Sequence, residues 1–327
     1  MRSLMTIPAI TEAMREELRR DSDVILMGED IATMGSALGT AFGLAQEFGP
    51  ERVFDTPVCE SAQASFAAGM AMGGKRVILE YMMADFQAYA YDGIVNQLAK
   101  QRYTSSGIWK FPVTIRMPHG SGFMVGIHHS QCAESWYANV PGLKICVPGN
   151  ALDVYGILKS AIRDDDPVIV LEPKYAFGSP SDVPEPEEDY TWPIGKAKVL
   201  REGTDVTIVG YQLGLLIASG VAEELARQGI SCEVIDLVSI VPYDKEAILK
   251  SVQKTGRALV VHESPIRGGF GGEIAAFIGE YAYDCLKAPV MRSAGKNFPV
   301  PYGPGEKFIQ PSGEEMAEKI IKMMAYQ

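Results

Sequence analysis

The stretch RVFDTPVCESAQASFAAGMAMGGKRVILEY (52–81) holds the pattern on which the fold turns. It opens on the short apolar run RVFDTP (52–57) and closes on RVILEY (76–81), both with the composition of strands. Between them ESAQASFAAGMAMGG (60–74) has a helical pattern and ends on glycines suited to a helix C-cap. Strand, helix and strand in so short a span is the unit of a parallel sheet, because parallel neighbours need a crossover between them.

The same alternation extends outward. VILMGED (24–30), FPVTIRMP (111–118), KICVPG (144–149) and PVIVLEP (167–173) read as strands. Their nearly continuous apolar character fits strands buried on both faces. FQAYAYDGIVNQLAKQRY (86–103) and ALDVYGILKSAIRDD (151–165) read as helices. The N-terminus, MRSLMTIPAITEAMREELRRDSD, alternates apolar and charged positions as an amphipathic helix does. The pattern breaks at GSPSDVPEPEEDYTWPIG (178–195), whose four prolines and acidic run suit neither a central strand nor a helix. A second series follows. DVTIVGY (205–211), CEVIDL (232–237), ALVVHE (258–263) and PVMRSA (289–294) are strand candidates; 213–228, 243–254, 272–284 and 313–325 are helix candidates. The expected fold class is therefore α/β, with two open, mostly parallel-sheet domains at 1–177 and 196–327 and a linker at 178–195.

Composition narrows the function classes. At 327 residues the chain exceeds what one hydrophobic core usually supports. A formal net charge of −11 argues against a nucleic-acid backbone or an anionic membrane surface as the main partner. No apolar run reaches membrane-spanning length, and the N-terminus has no signal-peptide core. Five scattered cysteines with no CxxC pair point to free thiols in a reducing, cytoplasmic setting.

Three local motifs invite chemistry. GIHHSQ (126–131) carries His128 and His129, two of only four histidines, with His119 just upstream. A metal site, a catalytic acid/base and a plain hydrogen-bonding loop all remain open, although His119, His128, His129 and Cys132 lack a defined zinc spacing. DTPVCES (55–61) ends a strand and opens a helix. It places Glu60 where ligands gather in α/β sheets, or where an acid merely meets the helix dipole. IRGGFGGE (266–273) lies between a strand and a helix, but its spacing is not that of a dinucleotide fingerprint, so it reads as a tight packing turn.

Taken in order, MGEDIA (27–32), FGPERVFDTPVCES (48–61), DF (85–86), IVNQLAKQRY (94–103), GIHHSQ, WYANVPGLKICVPGN (136–150), AIRDDDPVIVLEP (161–173), PIGKAKVLREGTDVTIV (193–209) and CEVIDL run through the chain in register with one family. They closely resemble the beta subunit of the thiamine-diphosphate-dependent first component of 2-oxo acid dehydrogenase complexes. Within that family it resembles pyruvate dehydrogenase and the related acetoin dehydrogenase. The resemblance implies a transketolase-like pyrimidine-binding domain followed by a transketolase carboxy-terminal-type domain. It implies thiamine diphosphate shared with an alpha subunit in a heterotetramer, Mg²⁺ held mainly by that partner, and a lipoyl-bearing acyltransferase as the acyl acceptor. The Gly-Asp-Gly motif that grips the diphosphate in the alpha subunit is absent here, so the chain resembles the beta half.

The resemblance also implies roles residue by residue. Glu60 matches the glutamate that hydrogen-bonds the pyrimidine ring nitrogen, and Phe86 the aromatic that packs on that ring. Met82 falls in the corresponding strand-end segment. His129 matches the active-site histidine, while His128 stands where the family usually has Gln. A K⁺ loop in relatives maps onto Val113, Ala161, Asp164 and Asp166. The implied activity is oxidative decarboxylation of a 2-oxo acid, pyruvate first, with acetoin cleavage as the variant. A non-catalytic assembly subunit and a dinucleotide-dependent oxidoreductase are the rival classes.

Overall fold

The computed structural model describes residues 1–326. The chain folds as two compact units, one of residues 1–123 with 128–194 and the other of 124–127 with 195–327.

The first unit contains β1 (Arg2–Met5), α1 (Thr6–Arg20), β2 (Val24–Gly28), α2 (Leu44–Phe48), β3 (Val53–Asp55), α3 (Glu60–Met72) and β4 (Arg76–Glu80). It continues through α4 (Ala99–Thr104), β5 (Val113–His119), α5 (Glu134–Tyr137), β6 (Lys144–Cys146), α6 (Ala151–Arg163), β7 (Val168–Pro173) and β8 (Pro180–Val183). Six of its strands lie side by side in the order β6-β7-β5-β4-β2-β3, each parallel to its neighbours. Every residue of β2, β5 and β7 is buried, as continuous apolar runs require between two helical layers. Helix α1 turns Ile10, Ala13, Met14 and Leu18 inward and packs along α6.

Three local expectations change. The N-terminal helix starts at Thr6; the four residues before it form β1, which pairs antiparallel with β8. Strand β8 lies inside 178–195, so that stretch is not a free linker. Tyr190 stacks on Tyr155 of α6 at 6.5 Å between ring centroids, and the Ser160 hydroxyl donates to the Trp192 carbonyl at 2.7 Å. Its prolines are tolerated because an edge pairing needs few of their amides. The third change is at 86–103, which is not one helix. A 3₁₀ turn (Phe86–Ala90), a wide π turn (Gly93–Leu98) and α4 follow in sequence. A Cβ on Gly93 would lie 2.6 Å from the Ala64 Cβ, so this segment approaches α3 more closely than a regular helix with side chains allows. Single π turns of this kind are frequent near functional sites.

The second unit contains β9 (Lys198–Arg201), β10 (Val206–Gly210), α7 (Gln212–Ala226), β11 (Cys232–Asp236), β12 (Ser239–Val241), α8 (Lys245–Thr255), β13 (Ala258–Pro265), α9 (Gly271–Tyr281), β14 (Met291–Gly295) and α10 (Gly313–Met324). Its sheet runs β14-β13-β10-β11-β9, parallel except for β9 at the edge. Strand β9 has no sequence signature because no residue of it is fully buried. Ile208, Val234 and Leu259 from the strands meet Leu215, Leu225, Met316 and Ile320 from α7 and α10 in the core. The glycine-rich turn is a packing device. A Cβ on Gly269 or Gly271 would lie 2.4 or 2.3 Å from atoms of the buried His262 ring. Both units thus have the open, mostly parallel α/β architecture read from the alternating runs.

Candidate active site

Parallel strands bring all their carboxyl ends to one edge of a sheet, and the loops that follow them gather there. Glu60 is the first residue of α3, directly after β3, and is half-buried. Its main-chain carbonyl accepts a hydrogen bond from the Tyr81 hydroxyl at 3.0 Å, which ties the start of α3 to the end of β4. Burial holds the Tyr81 phenol well above its ordinary range, and the neighbouring Tyr137, Glu60 and Glu29 push it the same way, so it remains a neutral donor.

Glu29 follows β2 directly and is buried. Burial pushes its carboxyl above the usual carboxylate range. Gln63 opposes this by donating at 2.9 Å, while the charges of Glu60 and Asp30 push further up. The same Gln63 amide reaches the Thr56 hydroxyl at 2.9 Å and the Pro57 carbonyl at 3.2 Å, so α3 and the β3 loop are braced together. Glu29 was not singled out from sequence. Its signal was available: an acid at the end of a buried strand, the position from which Glu60 was chosen. Asp55 closes β3 and anchors the neighbouring loop. Burial would raise its carboxyl, but donation from the Thr33 hydroxyl and from the Ala32 and Thr33 amides outweighs this and holds it below its ordinary value.

Phe86 opens the turn after β4, and His129 sits in the loop beyond β5. Their rings meet edge to face, 5.4 Å between centroids at 79°. Both are half-buried, as is Met82, whereas His128 is exposed. The His129 main-chain carbonyl accepts from the buried Lys174 ammonium, and its Nδ1 is buried with no hydrogen-bond partner among the described residues. Asp85 fastens this loop to the Phe86 segment by accepting from the Gln131 amide N–H at 3.2 Å and from its side chain at 2.9 Å. The two adjacent histidines lie in a turn, which leaves His128 exposed and His129 half-buried against Phe86. His119 joins neither; it lies beside Glu134.

The expected K⁺ loop meets a different arrangement. The Lys144 ammonium lies 2.8 and 2.7 Å from the two Asp164 oxygens and 3.2 Å from Asp166. Arg102 also pairs with Asp166, and Arg76 donates to the main-chain carbonyls of Ile162 at 2.8 Å and Asp164 at 2.6 Å. Burial alone would lower the Lys144 pKa, but the two aspartates outweigh it and push it up. Positive charge at Asp164 and Asp166 is thus supplied by this chain's own side chains. Both carboxylates thus have cationic partners within the chain, while Val113 and Ala161 lie at the start of β5 and near the end of α6.

Comparison with known proteins agrees with this geometry. The transketolase pyrimidine binding domain matches residues 2–179, and the transketolase C-terminal domain matches 195–316. Over 327 residues, all of this chain and 71% of the relative, it is 41% identical to the pyruvate dehydrogenase E1 component subunit beta of Rhizobium meliloti. It is 44% identical to the 2-oxoisovalerate dehydrogenase subunit beta of Bacillus subtilis, covering 91% of each chain. With the pyruvate dehydrogenase E1 component subunit beta of Rickettsia felis it is 41% identical, covering 97% of each. Among solved structures it resembles a split-gene transketolase in an inactive beta4 tetramer, with a TM-score of 0.78 and 23% identity over 99% of each chain. It also superposes on the Pichia stipitis transketolase, with a TM-score of 0.71 and 18% identity over all of this chain and 46% of that one. The site on the first unit and the match over the whole chain lead to one assignment: the chain belongs to the family of beta subunits of thiamine-diphosphate-dependent 2-oxo acid dehydrogenases.

Proposed function

We propose that this chain is the beta half of an enzyme component that oxidatively decarboxylates a 2-oxo acid and passes the acyl group to a lipoyl arm. The observation that carries the reading is that two acids that sense each other, Glu60 and Glu29, and the Phe86–His129 ring contact all lie in segments that follow the neighbouring parallel strands β2 to β5 at one sheet edge. Thiamine diphosphate, when bound, supplies the nucleophilic carbon and the electron sink.

The residues present fit its pyrimidine ring. Glu60 is half-buried at the first turn of α3, where its carboxyl can hold a proton at the ring nitrogen. Glu29, held toward its protonated form by burial and by the charge of Glu60, adds a second acid at this edge. Tyr81 and Gln63 position Glu60 by bonding its own carbonyl and the Pro57 carbonyl three residues before it. Phe86, with Met82 near it in the chain, offers an apolar surface for the ring and keeps water from it. His129 delivers a proton near the reacting carbonyl, a role suited to imidazole at neutral pH. Exposed His128 stands clear of the Phe86 contact and is assigned to substrate choice.

The chain has no Gly-Asp-Gly tripeptide, so an alpha partner grips the diphosphate and Mg²⁺. Phe42, Val58, Phe66, Tyr103 and Ile108 in the first unit are more than half exposed, which suits a chain covered by such a partner. No K⁺ is assigned, because Lys144, Arg102 and Arg76 already serve the acidic turn. The second unit serves contacts between beta chains and with the acyltransferase. All five cysteines are free, in keeping with a cytoplasmic setting. No helix among the described residues is long and apolar enough to cross a membrane.

The experiment is dye-coupled oxidation by the chain purified with its partners. Pyruvate, branched 2-oxo acids and acetoin are each assayed with and without thiamine diphosphate and Mg²⁺. Pyruvate is expected as the preferred substrate; turnover of acetoin alone would reassign it to the cleaving variant. Full activity in the Glu60→Gln complex would overturn the catalytic reading in favour of an assembly subunit.

A further inference from the structure

Three ligand-type side chains that the proposed chemistry does not use meet at the end of β5. His119 is the last residue of β5 and is 2% exposed; Glu134 opens α5 and is 1% exposed. Cys132 lies two residues before Glu134 and is half-buried. Imidazole, thiol and carboxylate each offer one ligand atom, and these atoms all lie within 4.8 Å of one another. His119 Nδ1 and Glu134 Oε2 are 4.0 Å apart. That is too long for a hydrogen bond between them. Tetrahedral zinc ligands with arms of about 2.0–2.3 Å lie roughly 3.5 Å from each other, so the three atoms need move only about 1 Å or less to share an ion.

We propose that His119, Cys132 and Glu134 form a binding site for one divalent transition-metal ion of the zinc class. The donor set selects the metal. A thiolate and an imidazole favour zinc-like ions over Mg²⁺ or Ca²⁺, which take oxygen ligands. Charge balance favours it too, since a 2+ ion, one thiolate and one carboxylate sum to zero, the condition under which a buried ion is tolerated. Binding removes the proton from the Cys132 thiol to solvent. Three protein ligands leave a fourth position for water. The ion would join the end of β5 to the loop that carries His129, three residues before Cys132. That loop is already held to Asp85 through Gln131. The site is independent of the thiamine reading and stands or falls separately.

The test uses the complex as purified, stripped with chelator and then titrated with Co²⁺ or Zn²⁺. One Co²⁺ per beta chain is expected, with the near-ultraviolet thiolate-to-cobalt band and the visible bands of a tetrahedral site. Cys132→Ser should abolish the thiolate band and Glu134→Gln should weaken binding, while Cys59→Ser leaves both unchanged. A second measurement needs no variant. Zn²⁺ should slow alkylation of Cys132 about tenfold or more without protecting Cys59, because the bound thiolate is no longer available to react. Absence of the thiolate band, or equal alkylation of Cys132 with and without Zn²⁺, would show that the cluster is only a buried polar contact.

Discussion

Glu29 and Glu60 show how one residue sets the chemistry of another. The Glu29 carboxyl has its pKa raised by burial, against the pull of Gln63. A carboxyl whose folded pKa lies above its unfolded value contributes stability that is present at low pH and lost as pH rises through the folded value. Glu29→Gln keeps the acceptor for Gln63 and has no charge to bury. Its urea midpoint should equal or exceed that of the parent at neutral pH, with the gap closing as pH falls toward about 4.5. Glu60→Gln should behave differently. It should leave the fold intact, because what Tyr81 holds is the Glu60 backbone, and lower cofactor-dependent turnover by about 10²–10⁴-fold, the usual worth of a positioned proton donor. Turnover measured beside circular dichroism separates the two effects.

At the scale of elements, close backbone approach explains what residue type alone does not. The π turn of 93–98 exists where Gly93 meets Ala64 of α3. Gly93→Ala should destabilise the chain by about 1–3 kcal/mol through overpacking, and should loosen the segment that starts at Phe86. Chemical denaturation gives the first effect; a raised KM for thiamine diphosphate gives the second. The glycine-rich turn before α9 has the same logic without the chemistry. Gly271→Ala should lower stability by a similar amount, about 1–3 kcal/mol, because its Cβ would enter the His262 ring. Neither parent nor variant should bind a nicotinamide dinucleotide in a calorimetric titration.

For the molecule as a whole, the central sheet of the first unit carries a buried charge cluster that any account of stability must include. Arg116 in β5 is fully buried. It pairs bidentately with Glu172 of β7 at 2.7 Å, and also with Glu80 of β4. Glu80 in turn accepts from the Ser36 and Thr40 hydroxyls, so the sheet interior fixes the 36–40 loop. Arg116→Met would leave two buried carboxylates without their cation and should cost about 3–5 kcal/mol, read from the denaturation midpoint. The exposed apolar side chains belong to this scale as well. Phe66→Asp should reduce recovery of the alpha partner on co-purification while leaving the melting temperature of the beta chain unchanged, because Phe66 lies outside the core.

Short-range periodicity carries the parallel-sheet architecture of both units. A strand buried on two faces and a helix with one apolar face leave their mark within about ten residues of chain. The placement of Glu60 after a strand and at a helix start follows from the same local pattern, and in-register motifs supply the roles expected of Phe86 and His129. Other features have no local mark. Strand β9 is too exposed to show one, and β8 hides among prolines because its pairing with β1 spans almost the whole first unit. The π turn is imposed by a neighbouring helix. Lys144 reaches Asp164 across 20 residues, Tyr81 reaches the Glu60 carbonyl across 21, and Gln63 reaches Glu29 across 34. His119 meets Glu134 only because β5 ends where α5 begins in space. Which charged group neutralises which is settled by packing, since the energy of such a pair depends on distance and burial and not on separation along the chain.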